Sequence, residues 1–509
     1  MQERAKQQEE AMASQQNQRA LHAIVLPHPL QGHITPLLHL SQKLASSYNV
    51  AITFVVTQHI FSKMQITSHP LIKLVGLADN LPQDHPRQST FADSYEAVMG
   101  LEIPTDSLLQ ELSSQNQLPS FIIADTFVTW AQKLALKYSI PRVAFATTNV
   151  TAFAVMSSTS KLIDLGILPL KTVNGSSKYV DQLITCFPFL PPLQPHDIPV
   201  SLRSPSVSHY RMQFVMAQFA ELSKAVTVMV NSVTELEKTV LENLEHKVPT
   251  FCIGPTLRLG GENFLLQKTG MRTSLLPEQE DCLPWLDKQG SGSVLYVSFG
   301  SIANLEKAQL VELASGLGAS NQPFLWVIRP GSFEGSLSDV LPVGFSERTR
   351  NRGYIVSWCP QLLVLSHRAL GGFMTHCGWN SILENLCLGG VPMICWPHEA
   401  EQALNARVIV DIWKVGLKVK KEEDGIVKLE EVERVVRAVM CEEGAKELKD
   451  KAIELGKVAK RAVEEGGSSL KNIEKVLEVV SNTKASGFSS RAVLRTRYTT
   501  CSQESNDFC

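Results

Sequence analysis

Residues 23–45 read AIVLPHPLQGHITPLLHLSQKLA. A short apolar run, 23–26, gives way to a proline and glycine turn and then to apolar residues at helical spacing, which spells strand, loop, helix. The unit returns as AITFVV before a polar segment, as SFIIAD before a helix from Phe127 to Lys137, as RVAFAT, and as VTVMVNS before the helical TELEKTVLENLE. Strands alternating with helices in this way predict an α/β fold with a parallel, doubly wound sheet. From Gly254 to Asp281 the period lapses into a stretch of glycines and prolines, read as an interdomain linker. Alternation then restarts with SVLYVSFGS, a helix from Lys307 to Gly316, FLWVIRP, GYIVSW, GGFMTH and VPMICWP, and a helical stretch from Leu429 to Val480 closes this second half.

The chain of 509 residues exceeds the roughly 250 to 300 at which one core stops growing. The reading is therefore two Rossmann-like domains, 21–255 and 281–482, joined by a linker over 256–280. Residues 1–20, rich in Gln and Glu, and 483–509, rich in Ser and aperiodic, are expected to be mobile tails, with Met12 a second candidate start. Two such sheets face each other across a cleft, and ligands bind off the carboxyl ends of the strands.

Composition narrows the function. The net charge of -2 supplies no field that would recruit nucleic acid or an anionic membrane. Ten cysteines stand singly with no CxxC pair, which fits neither a zinc site nor a disulfide framework and suits a reducing compartment. No run approaches the roughly 18 apolar residues of a membrane span, and the first twenty residues hold no signal-like apolar core. The expectation is a soluble, cytoplasmic protein working as a monomer, without a nucleic-acid partner.

The densest chemistry lies in THCGWNSILEN, residues 375–385, directly after an apolar run from Ala369 to Met374. Ser381 and Glu384 fit a capping box, but that leaves His376, Trp379 and Asn380 unexplained. A strand ending at Thr375 and a helix starting near Trp379 would put Cys377 and Gly378 in the turn, with free N–H groups aimed into the cleft. Such a helix start favours phosphates, and His376, Asn380 and Ser381 would add side-chain donors. Upstream, Trp358 in WCPQ offers a flat platform for a base or a core aromatic; downstream, Glu401 and Gln402 end WPHEAEQ. In the first half, His28, His33 and His39 are candidates for a general base. His33 sits at a loop-to-helix junction and Asp125 closes the strand SFIIAD; an aspartate on the second ring nitrogen would fix the tautomer. No Asp-x-Asp and no His and carboxylate cluster at ligand spacing calls for a metal.

The stretch from Trp358 to Gln402, WCPQLLVLSHRALGGFMTHCGWNSILENLCLGGVPMICWPHEAEQ, resembles the donor-binding box of plant family-1 UDP-dependent glycosyltransferases. QGHITP, SFIIADTF, LPPL, VMVNSVTELE, IGP, CLPWLD, VLYVSFGS and FLWVIRP extend the likeness over all but the two tails. The resemblance implies a GT-B fold and inverting, metal-independent transfer of a sugar, glucose foremost, from a UDP-sugar co-substrate to a hydroxyl of a small lipophilic acceptor such as a plant secondary metabolite. It implies no other cofactor. It maps a His-Asp dyad onto His33 and Asp125. It gives Trp358 and the Cys359 backbone to uracil, and Gln361 and Glu384 to the ribose. The diphosphate falls to Gly300, Ser301, His376, Gly378, Asn380 and Ser381, and the sugar to Trp379, Glu401 and Gln402. Thr147, Thr148, Asn149 and the segment 187–215 are the candidates for the acceptor pocket. Two departures stand out: one extra residue near Leu388, Gly389 and Gly390, and Glu401 where the family more often has Asp. A catalytically silent UDP-sugar or aglycone binder is the alternative reading; an epimerase would lack the Trp358 box, and a nicotinamide enzyme would need a GxGxxG after the first strand.

Overall fold

The computed structural model describes residues 21–485 other than 65–68, 88–89, 173–178, 181, 246–247, 258–273, 275, 302, 334 and 442. The expected N-terminal tail, all but the first three residues of the expected C-terminal tail and most of the expected linker therefore lie outside the described residues.

The first half is a seven-stranded sheet in the order β3-β2-β1-β4-β5-β6-β7, parallel throughout. Its strands are β1 His22–Leu26, β2 Ala51–Thr57, β3 Ile72–Leu77, β4 Phe121–Asp125, β5 Arg142–Ala146, β6 Thr227–Val230 and β7 Thr250–Cys252. Central strands such as β4 and β5 are buried at every position, which is why they read as unbroken apolar runs: helices cover both faces. The helices that matter here are α1 Gln31–Tyr48, α2 Val150–Ser157 and α3 Tyr210–Leu222.

The second half repeats the plan with six parallel strands in the order β10-β9-β8-β11-β12-β13. These are β8 Val294–Ser298, β9 Phe324–Val327, β10 Gly353–Val356, β11 Leu370–Thr375, β12 Met393–Cys395 and β13 Gly416–Lys418. Helix α4, Trp379–Glu384, follows β11; α5, Gln402–Arg407, follows β12; α6, Leu429–Met440, α7, Gly444–Ala462, and α8, Ser468–Ala485, are the last described elements.

In each sheet the strand order reverses direction at one place, between β1 and β4 in the first and between β8 and β11 in the second. Leu26 pairs with Ala124 and Ser298 with Thr375, so at both places two strands end side by side and their following loops part around a crevice.

Three expectations need correction. The closing helices do not all belong to the second half: Ile473, Val476 and Val480 of α8 are buried in the first sheet's core beside Phe54 and Phe121, and Ser469 donates to the Gly254 carbonyl at 2.5 Å. Apolar residues at helical spacing say that a face is buried, not against which sheet. The helix continues to Ala485, past the predicted start of the tail at 483. The predicted helix from Phe127 begins only at Ala131, and residues 127–130 form a turn. The extra residue near Gly389 is taken up in a π turn over Asn385–Gly389, closed by Gly390 N–H on the Asn385 carbonyl at 2.6 Å; a turn that holds one more residue than an α-helical one absorbs it without disturbing β12.

Candidate active site

The crevice of the first sheet holds His33 and Asp125. His33 stands in the first turn of α1, two residues beyond Gln31, and Asp125 is the last residue of β4. Nδ1 of His33 donates to Oδ2 of Asp125 at 2.7 Å, with the Thr147 hydroxyl 3.2 Å from the same nitrogen. Asp125 is wholly buried, and its Oδ1 accepts the Phe127 N–H at 2.9 Å, so the carboxylate is locked and orients the imidazole. Nε2, on the opposite side of the ring, is left as the acceptor nitrogen. Of the other two histidines considered, His28 is buried behind His33, its ring 5.1 Å away and its Nε2 on Ser94, and His39 lies farther along α1. Neither borders the cleft cavity described below.

The crevice of the second sheet is built around His376. Its imidazole is packed so closely on two glycines that a Cβ at Gly300 would lie 2.7 Å from the ring and one at Gly378 2.3 Å from Nε2. Gly300 also has φ +74, a left-handed conformation that glycine adopts without strain. Between them Cys377, with φ 65, makes the sharp exit from β11 that turns the chain into α4. Burial pulls the His376 imidazole down to about 4 despite the Ser298 backbone, so near neutrality it is an uncharged ring. The N-cap of α4 is Gly378, with no side-chain cap. The capping-box reading of Ser381 and Glu384 is thereby corrected: Ser381 lies inside the first turn, and its hydroxyl accepts from Gln361 Nε2 at 3.1 Å. The same amide reaches Oε2 of Glu384 at 2.5 Å, while the Tyr296 hydroxyl holds Gln361 Oε1 at 3.1 Å. Burial raises the Glu384 carboxyl to about 7, opposed by the Gln361 hydrogen bond. Trp358 is half-buried with its indole N–H on Ser274 at 2.9 Å, and Cys359 is buried beside Tyr296.

A cavity of 1190 Å³ joins the two crevices. His33, Thr147 and Thr148 border it from the first half; Ser301, Trp358, Cys359, Gln361, His376, Gly378, Trp379, Asn380, Ser381, Glu384, Glu401 and Gln402 border it from the second. The residues expected to hold a donor thus come together, with two qualifications. The Trp379 indole is buried and donates to the Asn231 carbonyl at 2.6 Å, so its N–H is engaged in the contact between halves. The Asn380 amide is likewise engaged: Nδ2 donates to the Gly32 carbonyl at 2.6 Å and Oδ1 accepts from Asn231 at 3.2 Å. Sequence explains the first bond. Pro36, four residues on in α1, has no N–H to give Gly32, and the freed carbonyl is taken by Asn380 one residue from His33. Gln402 turns its Oε1 back onto the N–H groups of His398 and Glu399, both at 2.9 Å.

Asn149 does not border the cavity. It caps α2 by accepting from Ala152 N–H at 2.6 Å and reaches across to Asn405 Oδ1 at 2.7 Å, which removes it from the acceptor residues. The first-half side of the cavity is instead walled by Phe91, Phe127, Phe153, Met156, Phe214 and Val215. Of these only the last two fall in the expected segment 187–215. Phe127 was misplaced because its turn resembles a helix start; Phe91 and Phe153 carry helical spacing like any core aromatic, so no signal in the sequence separates them.

A family model described as UDP-glucoronosyl and UDP-glucosyl transferase matches residues 273–460. Over 482 residues the chain is 36% identical to 7-deoxyloganetin glucosyltransferase of Gardenia jasminoides, covering 90% of this chain and 97% of that one. It is 35% identical to UDP-glycosyltransferase 85A2 of Arabidopsis thaliana, with the same coverage. The chain belongs to the UDP-glycosyltransferase family. Solved structures agree. A UDP-glucosyltransferase from Polygonum tinctorium, capable of glucosylating indoxyl, superposes with a TM-score of 0.77 at 29% identity, covering 91% of this chain and 99% of that one. Phytolacca americana UGT2, complexed with UDP-2fluoro-glucose and pterostilbene, gives 0.74 at 28%, covering 91% and 100%. The two facing sheets are the GT-B arrangement of UDP-glycosyltransferases, and the chain is an enzyme of that class. Among the described residues no helix is long and apolar enough to cross a membrane.

Proposed function

We propose that this UDP-glycosyltransferase moves a glucosyl group from UDP to a hydroxyl of a small lipophilic acceptor, in one displacement with inversion and without a metal ion. The observation that carries the reading is the His33–Asp125 pair at 2.7 Å, opening into the same cavity as the start of α4. Nε2 of His33 takes the acceptor proton as the hydroxyl attacks the anomeric carbon, Asp125 stabilises the imidazolium that forms, and UDP leaves from the opposite face. The negative charge gathering on the diphosphate meets the backbone N–H groups at the start of α4, a stabilisation that needs no reorganisation. Burial makes His376 a neutral partner to that charge rather than a cation. Trp358 stacks on the base and Glu384, with Gln361, takes the ribose hydroxyls; Glu401 and Gln402 face the sugar. The reading of glucose is supported by Gln402 at the end of the box and by the glucosyltransferases among the relatives. We further propose that the protein acts in the cytoplasm as a monomer.

The test is transfer by the purified chain from UDP-glucose to a panel of phenolic, flavonoid, terpenoid and hydroxynitrile acceptors in the presence of a chelator, with the anomeric configuration of the product read by proton NMR. A β-glucoside is expected. An α-glucoside, or activity only after a divalent ion is restored, contradicts the mechanism; UDP binding without transfer to any acceptor favours the silent binder.

A further inference from the structure

The acceptor end of the cavity is apolar except in one respect. Among the described Lys and Arg residues, only Arg211 borders the cavity. It sits in the first turn of α3, where no acidic residue accompanies it and where a cation opposes the helix dipole, so the helix gains nothing from it. The guanidinium is steadied by Tyr210: Nε donates to the hydroxyl at 3.0 Å and Cζ lies 5.9 Å from the ring centre. No carboxylate pairs with it among the described residues.

Helix α3 also supplies a ruler. Arg211, Phe214, Val215 and Gln218 follow one another at intervals of three and four, so they share the face turned to the cavity, and all four border it. Gln218 donates to the Thr126 hydroxyl at 2.8 Å, beside Asp125. Arg211 therefore lies two turns, about 10 Å, from the end of the helix next to the dyad. Between them the wall is Phe214, Phe91 and Phe127, whose rings meet edge to face at 5.2 to 6.1 Å.

We infer that Arg211 is a specificity residue: it pairs with a carboxylate on the acceptor, carried at the opposite end of a flat, apolar body about two rings long from the hydroxyl presented to His33. An arginine fork remains charged at any working pH and matches a carboxylate with two parallel hydrogen bonds. The inference rests on the acceptor-glycosylation reading above and adds the chemical class of acceptor.

The experiment uses the full chain with UDP-glucose and two acceptors: a hydroxybiphenyl carboxylic acid with its groups at opposite ends, and the methyl ester of that acid. The wild type prefers the acid, and in Arg211→Gln the ratio of kcat/KM for acid over ester falls at least about tenfold, mainly through KM. Arg211→Lys, which keeps the charge and loses the fork, gives an intermediate ratio. A wild type that prefers the ester, or a ratio equal in wild type and Arg211→Gln, overturns the inference. If neither acceptor is glucosylated, calorimetric titration of the acid into protein holding UDP decides: binding weakened at least about tenfold by Arg211→Gln supports the carboxylate site, and absent or equal binding overturns it. Lack of transfer with that binding intact counts against the transferase reading alone.

Discussion

Glu384 shows how a buried polar group can be costly to the free protein and suited to a ligand. Its carboxyl holds a proton to about pH 7, whereas the unfolded chain releases it near 4.5. A raised carboxyl costs the folded state nothing below about 4.5, costs it progressively more as the pH rises from there, and carries its full penalty above about 7. Glu384→Gln should therefore be more stable than wild type at pH 8, by up to about 3 kcal/mol, and no more stable near pH 4.5. Thermal melts at the two pH values check this; a difference that does not change with pH would remove burial of the charge as the cause. His376 runs the other way. Its value is depressed from 6.5 to about 4, so the stability it lends is complete above 6.5 and is lost as the pH drops through 4. Its role at neutral pH is thus a neutral imidazole wedged between two glycines, which makes the glycines as necessary as the ring. Gly378→Ala has an ordinary backbone, φ -63, and differs only by the methyl 2.3 Å from Nε2. It should lower stability by about 1–3 kcal/mol and weaken UDP binding by calorimetry; unchanged UDP affinity would mean that the His376 packing does not shape the donor site.

Helices and turns divide what was legible from what was not. Strands β1, β4, β8 and β11 were readable as apolar runs, which put His33, Asp125 and His376 at or just beyond their carboxyl ends; the choice of His33 over His28 and His39 as the partner of Asp125 came from the family resemblance. The start of α4 was readable, but not its cap. Ser381 matched a capping pattern that the chain satisfies instead with Gly378, because the turn at Cys377 begins the helix three residues earlier. Partners in the other half stayed hidden. Nothing local in Asn380 announces the Gly32 carbonyl, 348 residues away, although Pro36 states that this carbonyl lacks a helical donor. Asn380→Ala should leave that carbonyl unbonded and loosen the first turn of α1, so that kcat falls while the Kd for UDP changes little. A pure loss of UDP affinity would return Asn380 to the diphosphate.

Across the whole chain, the two halves are less separate than their sequences. Helix α8 comes last yet completes the core of the first sheet, and Trp379, Asn380 and Asn405 bond across the cleft to Asn231, Gly32 and Asn149. Ile473→Ala, far from β1 in sequence, should cost about 2–5 kcal/mol and strip hydrogen-exchange protection from β1 and β2 while β8 and β11 keep theirs; losses confined to the second sheet would contradict this packing. The consequence for function is that the base and the donor site, on different sheets, are held at one cavity by bonds between the halves. The central claim is that His33, oriented by Asp125, removes the acceptor proton and does no work for the donor. Its direct measurement is UDP affinity by calorimetry alongside transfer by His33→Ala. The account predicts an unchanged Kd for UDP with transfer reduced by about a hundredfold to ten-thousandfold. Transfer at the wild-type rate, or a loss of activity matched by a loss of UDP binding, would contradict it.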